Sequence, residues 1–495
     1  MQRNKYSLSN FKLATMTMGN LYPVFWGEAL PGDTWQQSTS AFVRCTPLVA
    51  PVMHPVKVRI HHWYVPLRLI WDDFEDFITG GDDGTSTPTA PYIGSVSSCT
   101  AGSLLDYLDV PVSAAFGHTE PMSALAMRAY SMIWNEHYRD QQLQTERTVD
   151  TTSGSDTTTD ADIARVNWAK DRFTTARSEP LLGDDVTIAI GSEAPVTGIG
   201  KGGQTFGDGG VNVYETDGSG TEAYTSSALI ADTNANRYFY AEEDPNNSGY
   251  PNIRADLSAA TGVSLADLRL AYALQRSREA RNRFGSRYVE YLKYLIGPGY
   301  SPSDARFQIP EYLGGGRSMI QFSEVLATDG ANTGDLYGHG VGAMRTNRYR
   351  RFFEEHGIVM SLMSVVPIAV YQDGLHKKFS RTTKEMYFQK EFQLIGDEGI
   401  LNKEIRLENS NPNEIFGYSD RYGSYRSCPS GVAGDFNSVS DSWHIARQFG
   451  SDPALNSAFI ACNPRQDIFA ASSNDTLNVM LNHSIQARRL LMYVP

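Results

Sequence analysis

Two adjacent histidines, His61 and His62, are the first residues in the chain that could hold a metal or move a proton. They fall in an alternating run, residues 56–65, where neighbouring side chains point to opposite faces. The pair therefore does not converge on one ion without outside help, and one core and one exposed histidine is the plain reading. Asp72, Asp73, Glu75 and Asp76 look like a carboxylate cluster. They fall on the solvated side of a short helix, with nothing nearby to split their pKa values into an acid and a base. Gly314-Gly315-Gly316-Arg317 could cradle an anion on backbone N–H groups, but no Lys-Ser/Thr follows, and a flexible loop is the simpler expectation. Gly338-His339-Gly340 reads as a turn. The chain carries no GxSxG elbow, Walker loop, HExxH or EF-hand spacing. Cys45, Cys99, Cys428 and Cys462 lie far apart without a CxxC pair and read as scattered buried thiols. No catalytic residue, metal ligand or cofactor is expected.

Arginine carries more signal. Arg269, Arg276, Arg278, Arg281, Arg283 and Arg287 crowd one stretch in which Glu279 is the one nearby acid. Arg345, Arg348, Arg350 and Arg351 form a second cluster, and Phe284, Tyr288, Tyr349, Phe352 and Phe353 are interleaved. Guanidinium groups for phosphates and rings for bases suit single-stranded nucleic acid. A helix face salt-bridged to a neighbouring subunit is the competing reading, since arginine is also favoured at protein interfaces. Residues 1–27 add Arg3, Lys5 and Lys12 with no acid before Glu28. They read as an extended basic arm or a frayed terminus. Arg3, Lys5, Lys12, Arg276 and Arg283 are the candidate nucleic-acid contacts.

The elements that must position these residues are mostly β. Val56, Val58, Ile60, His62 and Tyr64 share one face of a strand ended by Pro66. Leu67, Ile70, Trp71, Phe74, Phe77 and Ile78 then follow helical spacing, with Gly80-Gly81 as a left-handed exit. A second helix is predicted over about 122–143, and a long one over about 264–296 that Gly285 breaks in two. Strand-like runs return at 358–371, 386–395, 404–408 and 476–494. Strands hundreds of residues apart imply one β core with helices and loops inserted between its strands. No repeat period is visible, which disfavours a solenoid or propeller.

Charge is lopsided. The 495 residues sum to −13, and between Asp150 and Tyr250 there are 17 Asp/Glu against 6 Lys/Arg. A polar tract at 148–160 is unable to bury apolar area. Residues 191–252 read as a long surface insertion with a little β structure around Val213-Tyr214 and Phe239-Tyr240. A pI near 5.3 argues against a surface that coats nucleic acid everywhere and leaves room for a local basic patch. Charged residues are 20% and aromatics 11%, a balance that fits large contacts between copies. Residues 1–16 hold no apolar signal-peptide core, and 358–371 falls short of a membrane span, so folding in cytoplasm without membrane insertion is expected.

Several blocks resemble the major capsid protein of the Microviridae, in the gokushovirus-type branch. They are residues 47–53 followed by 65–71; Arg128-Ala129-Tyr130 with residues 133–141; residues 310–315; Phe416-Gly417-Tyr418 with Arg421-Tyr422; and Asp441-Ser442-Trp443-His444. The resemblance implies a mainly β protein, a single eight-stranded antiparallel viral jelly roll with large helical and loop insertions. It implies a domain over 28–495 behind the arm, with 191–252 as a protrusion-like surface insertion used in host attachment. About sixty copies would form a T=1 icosahedral shell around circular single-stranded DNA. Implied partners are that genome, a small basic DNA-packaging protein, minor pilot or scaffolding proteins and a host surface receptor. A secreted β-rich carbohydrate-binding protein or polysaccharide-active enzyme is the alternative.

Overall fold

Ten strands pair into one antiparallel sheet in a computed structural model of the chain. The structure describes residues 3–93, 99–112, 122–181, 196–197, 199–201, 213–214, 221–222, 239–241, 254–255, 265–284, 288–296, 308–326, 334–393 and 395–491. The strands are β1 (Asn4–Ser7), β2 (Asn10–Met16), β3 (Leu21–Ala29), β4 (Thr34–Cys45), β5 (Val56–Pro66), β6 (Glu311–Leu326), β7 (Leu336–Arg345), β8 (Tyr349–Phe352), β9 (Gly357–Pro367) and β10 (Leu477–Arg489). Their order is β1-β10-β4-β7-β6-β5-β9-β3, with β2 also on β10 and β8 also on β4. Two compact units divide the chain: Met1–Pro180 with Ser286–Pro495, and Leu181–Gly285.

Alternation decides which way each strand faces. Ala41, Val43 and Cys45 of β4 are buried while Ser40, Phe42 and Arg44 between them are exposed, the period of a half-covered strand. β10 repeats this with Leu477, Val479 and Leu481 inside. By contrast β9 is buried at every residue, so its apolar run is continuous. The sheet curls: Val43, Val479 and Leu481 from one half pack with Val56, Val58, Ile60, Met363 and Val365 from the other in one core. Burying this apolar surface is the main force holding the halves together.

The outer side of β5, β9 and β3 is covered by α2 (Leu125–His137), whose Ala126, Ala129, Tyr130 and Ile133 pack with Trp63, Val65, Met360 and Leu362. Ahead of it, α1 (Phe74–Thr79) ends at Gly80 in the left-handed region, as its sequence predicts. The long helical run resolves into α3 (Leu265–Phe284) and α4 (Tyr288–Ile296), on either side of the expected break.

Several expectations are corrected. Gly315 and Gly316 belong to β6, not to a flexible loop; a Cβ on Gly315 would lie 2.4 Å from the Ile60 carbonyl oxygen, and one on Gly316 2.9 Å from Thr346 Cα. These glycines permit close approach of backbones. Gly338 and Gly340 are likewise in a strand, β7, where a Cβ on Gly340 would meet Cys45 Sγ at 2.7 Å. The runs at 386–395 and 404–408 are not strands: short turns occupy Lys384–Met386, Lys390–Phe392 and Asn402–Glu404, and the local hairpin is Asp397–Leu401 with Ile415–Asp420. The polar tract at 148–160 is held by hydrogen bonds to α2 in place of apolar burial. Cys428 is exposed, whereas Cys45, Cys99 and Cys462 are buried. Most of 191–252 lies outside the described residues. Within it Val213–Tyr214 pairs with Thr221–Glu222, and Phe239–Ala241 with Ile199–Lys201.

Candidate nucleic-acid interface

The basic arm is extended and paired: β1 and β2 both hydrogen-bond β10. Residues directly opposite each other in antiparallel strands share a face. One row across the sheet is therefore Lys5–Arg488–Thr34–Phe352, and the next is Ser7–Gln486–Gln36–Arg350. Arg3 joins the first row, donating to Thr34 Oγ1 at 3.2 Å and lying 4.9 Å over the Phe352 ring. Arg348 donates to Ser484 Oγ at 3.5 Å on the same side, and Arg345 sits opposite Ser40. All of these cations are exposed.

Not every predicted contact is free for a ligand. Lys12 points the other way, donating to the Tyr107 carbonyl at 2.6 Å and to Asp109 at 2.7 Å. Arg351 pairs with Glu311 at 2.8 Å. Arg276 is exposed and Arg283 half-buried on α3, within Leu181–Gly285, so they are described apart from the sheet. Sequence reasoning missed Arg44, Arg317 and Arg488. Their signal was present, since each sits on the outward beat of a strand, but it becomes readable only once partner strands are known.

The possible catalytic groups separate. His62 is fully buried, its Nδ1 2.7 Å from Ser361 Oγ and its Nε2 3.2 Å from Thr346 Oγ1; His61 Nδ1 lies 2.7 Å from the Tyr138 hydroxyl. Burial pushes the His62 pKa down to about 3 and that of His61 to about 4. Asp72 and Asp73 accept from Thr151 and Ser153. Among the described residues no group of His, Cys, Asp and Glu is arranged to hold a metal ion.

A curled antiparallel sheet, covered by a helix on one half and left cationic on the other, defines a structural protein that works through surfaces. The comparisons agree. The capsid protein (F protein) family matches residues 1–494, and the chain belongs to that family. It is 34% identical to the capsid protein VP1 of Bdellovibrio phage phiMH2K over 479 residues, covering 93% of this chain and 88% of the relative. Against the capsid protein VP1 of Chlamydia phage 1 it is 30% identical over 539 residues, covering 93% and 89%. The capsid protein VP1 of Spiroplasma virus 4 is 27% identical over 493 residues, covering 92% and 87%. These relatives are all Microviridae. The chain is a capsid protein, not an enzyme, and its place is the virion.

Proposed function

We propose that this capsid protein builds a T=1 icosahedral shell of about sixty copies around circular single-stranded DNA. The observation that carries the reading is the end-to-end match to capsid proteins. The curled ten-stranded antiparallel sheet supports the reading of a single eight-stranded jelly roll with large insertions. Closure leaves no open contact, so modest interfaces repeated by symmetry suffice. Arg3 and Lys5 contact the genome, with Arg276 and Arg283 as further contacts on the second unit; Lys12 is committed to Asp109. A small basic packaging protein and minor pilot proteins enter with the DNA, and assembly takes place in host cytoplasm.

Residues 191–252 form the outward protrusion that attaches to a host receptor. The acidic excess between Asp150 and Tyr250 supports this, because like-charged exteriors keep particles apart. Deleting 191–252 tests it. Closed shells are expected still to form while adsorption to host cells is lost; loss of assembly would make the segment a subunit contact instead.

A further inference from the structure

Outside the ten-stranded sheet, Phe173, Tyr371, Ile400, Ile405, Phe416 and Phe459 build a separate small core. Satellite cores of this kind stiffen long loops. Phe173 and Tyr371 also line a pocket of about 270 Å³ above that core. Arg172, Lys377, Lys378 and Arg381 bring four cations to its lining, and Ser427 and Ser430 bring hydroxyls. None of these residues belongs to the sheet.

The charges do not balance. Among the described residues of the lining, Glu404 is the one acid. Buried Glu404 accepts from Arg172 and, at 3.2 Å, from Lys377, which also meets Glu398 at 3.0 Å. Those two carboxylates answer two of the cations. Lys378 and Arg381 are left over, since neither pairs with a carboxylate among the described residues. Arg381 lies 3.9 Å over the Tyr425 ring and donates to Ser424 Oγ at 2.9 Å, so its guanidinium is held in place.

Arg172 supplies a second, independent observation. Its side chain is 10% exposed, yet Nε and Nη2 are buried with no hydrogen-bond partner among the described residues. Unanswered buried donors are costly, more so on a charged group. A guanidinium with donors to spare, set in the wall of a cationic pocket, favours an anionic occupant.

We infer that this pocket binds a small phosphate monoester of the size of a sugar phosphate. A monoester carries about −1.5 to −2 charges near neutral pH, which matches the two unanswered cations. Its three terminal oxygens suit several N–H donors at once. A diester within a nucleic-acid strand offers a single charge and two such oxygens, so the genome is not the ligand this chemistry selects. The volume sits just under the about 300–1,000 Å³ usual for ligand sites, room for a phosphate and one sugar ring. The inference goes beyond the shell reading and does not rest on it.

Isothermal titration calorimetry of the purified full chain with glucose 6-phosphate tests it. Glucose 6-phosphate is expected to bind and glucose to give no heat. Neither an unphosphorylated oligothymidylate nor vesicles of phosphatidic acid, which carry the monoester on a lipid, should displace it. Lys378→Gln with Arg381→Gln should weaken binding about tenfold or more. Lys57→Gln, which removes a cation of β5, should leave it unchanged, and matched melting temperatures confirm folding. Cys428 lines the pocket and is exposed, so bound glucose 6-phosphate should slow its alkylation in the parent chain, a readout that needs no variant. Absent binding, an equal loss in Lys57→Gln, or an unprotected Cys428 overturns the pocket. Displacement by the oligothymidylate makes it part of a nucleic-acid surface, and displacement by the vesicles makes it a lipid contact; either overturns the sugar-phosphate assignment.

Discussion

Arg128 is fully buried, and a buried guanidinium needs a paired carboxylate; its Nη2 makes no hydrogen bond among the described residues and lies 3.8 Å from Asp150. Nε donates to Asp156 at 2.7 Å, and Nη1 to the carbonyls of Ile70 and Thr152 at 3.0 Å each. Asp156, also buried, accepts from Thr159 as well. One residue thus ties α2 to the polar tract at 148–160. Asp156→Ala strands a buried charge and is expected to cost about 3–5 kcal/mol in urea unfolding of the purified subunit, whereas Arg128→Met with Asp156→Leu should cost far less. Equal losses in both would contradict the pairing. The Arg128-Ala129-Tyr130 block was legible as a family signature, but its reason was not. Sequence shows that the tract is polar apart from Val149; it does not show that an arginine of the helix meets its Thr152 carbonyl and its Asp156 carboxylate.

At the scale of elements, polar residues inside strands lock the two halves of the sheet. Ser361 lies where the β9–β3 register shifts, and it receives Gln37 Nε2 at 3.1 Å while sitting 2.7 Å from His62. Gln37 in turn accepts from the Tyr349 hydroxyl at 2.7 Å, and His483 lies 2.9 Å from Thr39. Burial lowers the His483 pKa to about 4, as it lowers that of His62 to about 3. Unfolded imidazoles titrate near about 6.5. As pH falls from about 6.5 toward about 4, the unfolded chain binds protons that these native histidines refuse, so stability is lost through that window. Each of the two contributes up to about 1.4 kcal/mol per pH unit. Denaturation midpoints should fall steadily between about pH 6.5 and about pH 4.5, and the fall should be shallower in His483→Gln; a flat profile contradicts the account. The alternation of 56–65 made β5 legible, because one covered face leaves a period of two. Glycine composition at 314–316 misled, since it reports backbone freedom and close packing alike. The runs at 386–395 and 404–408 misled because apolar residues without a partner strand do not make a ladder.

For the whole molecule, the charge asymmetry and the signature blocks made the class of protein legible before any coordinates. The cationic sheet face was not, because its residues come from strands that begin at Asn4 and end at Arg489 and meet only through register. The central claim is that this chain works by closing a container from copies of itself, with that face turned inward. Cryo-electron microscopy of particles assembled from the purified chain tests it most directly. The account predicts closed icosahedral shells whose lumen is lined by Phe42, Arg345 and Arg488; solitary subunits, open sheets, or shells carrying those residues on the outside would contradict it.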